Sequence, residues 1–167
     1  MQRSFRRPVR PLRVLAGFLA VAVAAACAAC GGSGGGPGKV SLTAAAANPC
    51  LLVSPAEARA ILGPHTTRPA RGAKGQCLFD SASAPLGHVV SVDIGPGPFH
   101  RVDAESLVTS PAPTPAGHGA LCGQTQSGAS GPTSLLGPFG PSHGLLIIGP
   151  SCAVDAKFAQ QIYLHLS

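Results

Sequence analysis

The chain has no tryptophan, one tyrosine and one methionine, and only 11% of its residues are charged. This scarcity excludes nucleic acid as a partner, because a phosphate-backbone interface needs many clustered Lys and Arg residues interleaved with stacking rings. The formal charge of +6 does not restore that reading. Of the 12 Lys and Arg residues, Arg3, Arg6, Arg7, Arg10 and Arg13 precede Val14, which leaves seven cations against six acids from Cys27 onward, a balance of +1. Metal-ligand spacings are also missing. From Asn48 onward there is no C-x-x-C or H-x-x-x-H pair and the six histidines are scattered, so no zinc site and no cofactor is implied. No glycine-rich run follows a strand pattern and opens a helix, which removes phosphate cradling. No repeat at a solenoid period is visible.

The five arginines form a basic n-region ahead of an apolar h-region that starts at Val14 and runs through Val23. The apolar stretch Val14 to Ala29 is shorter than the roughly 20 residues that cross a bilayer as a helix, and it ends in small residues and cysteine. This is the pattern of a cleaved lipoprotein signal. Ala24-Ala25-Ala26 supplies the small residues that processing wants before an acceptor, so Cys27 is the expected site of acylation. Cys30, followed by Gly31-Gly32-Ser33, is the runner-up, and cleavage after an alanine without lipid is the remaining alternative. The expected organisation is a signal peptide over 1–26, an acylated cysteine and Gly/Ala-rich tether over 27–47, and one extracytoplasmic domain over 48–167. The membrane is then a partner through the N-terminal lipid, and the location is the outer face of the cell membrane.

The domain opens on Ser54-Pro55-Ala56-Glu57, a capping box with proline at the first helical position. Gly63-Pro64 supplies the stop, which predicts a helix from Pro55 to Leu62 with Ala58, Ile61 and Leu62 facing inward beside Leu51 and Leu52. Gln76 to Asp80 and His88 to Ile94 read as paired antiparallel strands, since Val90, Val92 and Ile94 alternate with Val89, Ser91 and Asp93. Val102 to Val108 reads as one or two helical turns, and Ser110 to Gly117, with proline at 111, 113 and 115, as a loop. Further strands are expected at Leu121 to Gln126, Thr133 to Leu136 and Leu145 to Ile148. Ala153 to Leu166 places Val154, Phe158, Ile162 and Leu166 on one helical stripe. The expected fold class is α+β, a small antiparallel sheet with the short N-terminal helix and the C-terminal amphipathic helix packed on one face.

Cys50, Cys77, Cys122 and Cys152 form an even set in a small exported domain, which reads as disulfides with three connectivities open. Sequential pairing, Cys50 to Cys77 and Cys122 to Cys152, ties a helix end to a neighbouring strand in each half. Loops of this size are worth roughly 3 to 4 kcal/mol in the chain-entropy estimate. Crossed pairing would have to fold the proline-stiffened segment back over the first helix.

Asn48-Pro49-Cys50-Leu51-Leu52, the Ser54-Pro55-Ala56-Glu57 helix start, and Cys77-Leu78-Phe79 together resemble a family of small actinobacterial lipoproteins of unknown function. Its members pair a Pro-Cys-x-Leu-Leu opening with a Cys-x-aromatic strand about 25 residues later. Gly117-His118-Gly119-Ala120, the strands after it and the final helix are similar to the family's second half. Phe79 stands where Tyr or Trp is usual, and Cys122 and Cys152 lie outside the family pattern. The resemblance covers about Asn48 to Leu166 and implies a surface location and an α+β domain, with no chemistry attached.

Catalytic constellations are weak. Gly140-Pro141-Ser142-His143-Gly144 fits G-x-S-x-G, but a nucleophile elbow needs a strand before the serine and a helix after it, whereas here a turn precedes and a strand follows. The same expression fits Gly31 to Gly35 in the tether. Asp80 and Asp93 are candidates for adjacent-strand carboxylates but read as solvated surface. Asp103 and Glu105 are poorly spaced for joint work, and His88 and His100 flank the second strand where they could line a groove. The expectation is therefore no enzyme, but a binding or accessory module of the envelope that takes a protein partner or a small ligand. A structural tether is the alternative, and an unrecognised hydrolase stands behind it. A cavity under the C-terminal helix would favour a small ligand.

Overall fold

Ser41 caps a short helix, α1 (Leu42–Ala47), inside the stretch that reads as tether. The computed structural model describes residues 38–72, 75–81, 88–125 and 131–166. Cys27 and Cys30 lie outside the described residues. The packed chain thus starts earlier than the expected boundary at Asn48. Four alanines give α1 helix propensity without the apolar period that would have marked it, and Ala45 is fully buried. Val40 bridges to Leu166, and Lys39 Nζ donates to the Leu164 and Leu166 carbonyls at 3.1 and 2.9 Å. A cation at those last carbonyls also suits the helix dipole there.

A single 3₁₀ turn, Pro49–Leu51, leads to α2 (Pro55–Leu62). The capping box forms as its spacing predicts: Ser54 N–H donates to Glu57 Oε2 at 2.8 Å and Glu57 N–H donates to Ser54 Oγ at 3.2 Å. Gly63 ends the helix at φ 100°, a conformation that favours glycine. Ala58 is buried and Ile61 and Leu62 pack against the core. Leu51 does not: it is 45% exposed, and Leu52 with Val53 takes the inward positions.

The sheet is larger than expected. Seven strands run in the order β1 (Ala70–Arg71), β2 (Cys77–Ser81), β3 (His88–Pro96), β7 (His143–Gly149), β6 (Thr133–Phe139), β5 (Leu121–Thr125), β4 (Val108–Pro113). Every neighbouring pair is antiparallel. The expected pairing of the β2 and β3 segments is present, with Phe79 opposite Val90. One correction falls on β4, which occupies part of the expected proline loop. Proline cannot donate to a ladder, but at a sheet edge the outward N–H is not needed. Pro111 sits within an irregular register between Thr109 and Ala112, where Ser110 takes φ 51°.

Between β3 and β4 lies α3 (Arg101–Leu107), and the chain ends in α4 (Cys152–His165), capped by Ser151. Period 2 sorts the strands into two faces. One carries Phe79, Val90, Val92, Leu135, Leu145 and Ile147, all buried, and α1, α2 and α4 cover it. Phe79 meets Phe158 of α4 with ring centroids 5.1 Å apart. Each such buried phenylalanine contributes about 1.5–3 kcal/mol relative to exposure. The expected stripe on α4 is rotated. Asp155, Phe158, Ala159 and Ile162 face the sheet, and Val154 is only partly buried. A strict every-fourth series drifts about 40° per step around a helix of 3.6 residues per turn, so the contact follows the i, i+3, i+4, i+7 set instead.

Helices are not confined to one face. α3 packs on the opposite side over β4 and β5 and leaves the rest of that face open. Both disulfides are sequential: Cys50 joins the 3₁₀ turn to β2, and Cys122 joins β5 to the start of α4.

Candidate functional site

The open face carries an apolar groove bordered by carboxylates. Asp93, Leu146, Leu136 and Leu121 stand side by side across four strands, and next to that row Gly95, Gly144 and Pro138 are aligned. A Cβ placed on Gly95 or Gly144 would meet nothing within 4 Å. The two glycines therefore leave a trough in the sheet surface. The Gly97-Pro98-Phe99-His100 turn and α3 wall it with His100, Asp103 and Leu107, enclosing a groove of about 350 Å³. That volume lies at the small end of ligand pockets, roughly 300–1,000 Å³. Leu107 is 57% exposed at its rim. The floor is apolar and the charged side chains on it are carboxylates. Arg101, beside them in sequence, is engaged by Glu105 at 2.8 Å. Among the described residues no ion pair reaches Asp93 or Asp103.

The space under α4, where a ligand cavity was the discriminating expectation, is filled by Phe158, Ala159 and Ile162, each with no exposed surface. A second cleft of about 350 Å³ lies beside that helix, lined by His118, Gln160 and Tyr163. Here the His118 ring stacks on Tyr163 with centroids 4.1 Å apart, and Tyr163 Oη donates to the Pro138 carbonyl at 3.0 Å. Burial pushes the Tyr163 hydroxyl up to about 12, so it stays a neutral donor.

Asp155 is the residue that the sequence reading passed over. It sits in the first turn of α4 with no exposed surface. Oδ2 lies 2.7 Å from Thr133 Oγ1 and 3.9 Å from Cys122 Sγ. Oδ1 has no hydrogen-bond partner and packs against Gly149, where a Cβ would collide with it. Thr133 Oγ1 also lies 3.2 Å from the Gly149 carbonyl. The Thr133 hydroxyl has one hydrogen and two acceptors within reach, Asp155 Oδ2 and the Gly149 carbonyl; a protonated Asp155 can donate to Thr133 and free its hydrogen for Gly149. Burial, only partly offset by the Thr133 contact, raises this carboxyl to about 7. A disulfide sulfur has no hydrogen to give, so any hydrogen bond at Cys122 also runs from the carboxyl. The signal was present: Asp155 stands at i, i+4 and i+7 with Ala159 and Ile162.

The other candidates do not assemble. Ser142 and His143 are neighbours in the β6–β7 hairpin with Oγ and Nδ1 3.0 Å apart. Ser142 is exposed on a turn, a strand follows it, and no carboxylate orients the imidazole among the described residues. Asp80 pairs with Val89 in the register, which puts it four positions from Asp93 along β3. Asp93 and His100 both line the groove, while the His88 side chain lies outside the described residues. Among the described residues no group of three or more His, Cys, Asp or Glu side chains is placed to hold a metal. No described helix is long and apolar enough to cross a membrane. The chain matches no family model, no curated protein and no solved structure.

Proposed function

We propose that the protein is a binding module of the cell envelope, held to the membrane by lipid on Cys27, and that it takes a small amphipathic cation in the open-face groove without catalysis there. The observation that carries this reading is the pairing of an apolar trough with two carboxylates, Asp93 and Asp103, and no lysine or arginine among its described lining residues. An alkyl body would cover Leu136 and Leu146, and an ammonium or guanidinium end would meet the carboxylates. Burial of the alkyl part provides most of the affinity, at about 25 cal/mol per Å², and the charge provides orientation and selectivity. The Ala-Ala-Ala-Cys context and the basic n-region support the anchor.

Octylammonium and octanoate, titrated separately into the full chain and followed by backbone NMR, test the binding half. The amine is expected to shift Asp93, Leu136, Gly144 and Leu146 saturably, and Asp93→Asn is expected to weaken it. Equal binding of both amphiphiles would remove the electrostatic argument. Shifts clustered at His118 and Tyr163 would move the site. For the anchor, mass spectrometry of the N-terminal peptide should find diacylglycerol on Cys27. Lipid on Cys30, or none, corrects the assignment.

A further inference from the structure

The two disulfides sit in unlike surroundings. Cys50–Cys77 joins a half-buried sulfur to a fully buried one inside the core. No carboxylate is within hydrogen-bond reach of either sulfur among the described residues. Cys152 is partly buried, as Cys50 is, but it is the first residue of a 14-residue helix. Its partner Cys122 is 2% exposed and lies 3.9 Å from the buried Asp155 carboxyl. A cleft of about 440 Å³ is lined by both cysteines together with Thr109, Ser110 and Ser151, and both also line a smaller one of about 280 Å³.

We propose that Cys122–Cys152 is a redox-active disulfide that oxidises a protein dithiol, with Asp155 as the proton donor to the leaving sulfur. A thiolate of the partner enters the cleft and attacks Sγ of Cys152, the less buried of the two cysteines. A new disulfide forms between the partner and Cys152 while the Cys122–Cys152 bond breaks. The electron pair goes to Cys122 Sγ, which takes the proton of Asp155 and becomes a neutral thiol in its buried site. The partner's second thiolate then attacks its own sulfur in the mixed disulfide. Cys152 leaves as a thiolate, stabilised by the amide N–H groups and positive end of α4. The partner dithiol has lost two electrons to become a disulfide, and this protein's disulfide has gained them. Of the two protons released by the partner, one restores Asp155 and the other goes to solvent or to Cys152.

Each side chain has a part in this division. The helix terminus makes Cys152 a good leaving group in the second step. Without a proton source the first step would strand a charge on a buried Cys122, which is costly in a low dielectric. Asp155 Oδ2 lies 3.9 Å from Cys122 Sγ, in reach to deliver a proton, and burial raises the carboxyl's affinity for that proton. A purely structural bridge needs no acid beside the buried sulfur.

The test uses the oxidised full chain and a synthetic peptide dithiol, Cys-Gly-Gly-Cys, near neutral pH. Acid quench, differential alkylation and peptide mapping should find Cys122 and Cys152 opened, Cys50–Cys77 closed, circular dichroism unchanged, and one peptide oxidised per bridge opened. Asp155→Asn reproduces the hydrogen bonds of the protonated acid but has no acidic proton. It should slow opening roughly a hundred- to ten-thousandfold without lowering the unfolding midpoint. Both bridges opening together with loss of structure overturns the proposal, as does neither opening or an unchanged rate in Asp155→Asn. Cys122→Ser, which frees Cys152, provides a second reading. Its alkylation rate should titrate well below the ordinary thiol range of about 8.5, and an ordinary value overturns the leaving-group role.

Discussion

Glu57 Oε1 stands 2.7 Å from His165 Nε2, so the residue that closes the capping box of α2 also ties that helix to the last turn of α4. The division is by oxygen atom: Oε2 accepts from Ser54 N–H and Oε1 faces the imidazole. Burial raises the Glu57 carboxyl, but hydrogen bonds from His165 and Ser54 and the His165 charge outweigh it and hold it below the usual 4.5. A carboxyl depressed in the fold stabilises fully above its unfolded value, and the contribution is lost as pH falls through the folded value. Glu57→Gln keeps a capping acceptor and removes the charge. It is expected to flatten the acid side of the stability profile, measured by urea unfolding at a series of pH values. Ser54→Ala should cost about 1 kcal/mol. The double variant Ser54→Ala, Glu57→Ala should lose less than the sum of its parts, because both belong to one network.

Asp155 predicts the opposite pH dependence. Its carboxyl moves from 3.8 in the unfolded chain to about 7 in the fold, so the folded state holds the proton more tightly. The associated stabilisation is complete below the unfolded value and is lost as pH rises toward and through about 7. Asp155→Asn needs no proton to keep the Thr133 and Gly149 hydrogen bonds. The variant should be more stable than the parent above pH 7 by roughly 1–4 kcal/mol, with a flat profile between the two values. A parent profile that rises across this interval would mean that Asp155 is ionised in the fold.

Gly149 is the other half of that site. A methyl group there would collide with Asp155 Oδ1 and crowd Val90, so Gly149→Ala should cost about 1–3 kcal/mol through overpacking. Shortening the carboxylate with Asp155→Ser should recover part of this loss. Chemical denaturation of the four proteins of the cycle would measure a coupling of about 0.5–3 kcal/mol between the positions. Simple additivity would place the strain elsewhere.

What could be read in advance follows from how locally each feature is encoded. The Ser54–Glu57 box, the alternation through Val90, Val92 and Ile94, and the final helix are short-range patterns, and each element forms in place, although the buried stripe of α4 is rotated from the expected one. The β4 strand was hidden because Pro111 and Pro113 speak against a ladder, and only the edge position makes them tolerable. α1 was hidden because four alanines between a glycine-rich run and Asn48 have no period to display. The groove was invisible for another reason. Asp93 is polar on an alternating strand and reads as solvated surface, and its partners Gly144, Leu146 and Asp103 reach it only through the register of β3 with β7 and the placement of α3. Asp155 was masked by charge, since an acid in a first helical turn is ordinarily solvated and favourable to the dipole.

Gly144 provides the cleanest separation of binding from folding. It lies on the groove floor opposite Gly95 and Pro138, its φ is ordinary for a strand, and the space a Cβ would enter is empty. Gly144→Val therefore adds bulk where the ligand would lie, on a Cβ that meets no existing atom within 4 Å. Valine also suits a strand better than glycine, which loses more backbone entropy on folding. Stability should be unchanged or raised by up to about 1 kcal/mol. Octylammonium binding, read by the same NMR titration, should weaken at least about tenfold, equivalent to 1.4 kcal/mol. Lost binding with intact stability locates the ligand in the trough. Intact binding in a folded Gly144→Val protein would remove the trough as the site, whatever the carboxylates contribute elsewhere.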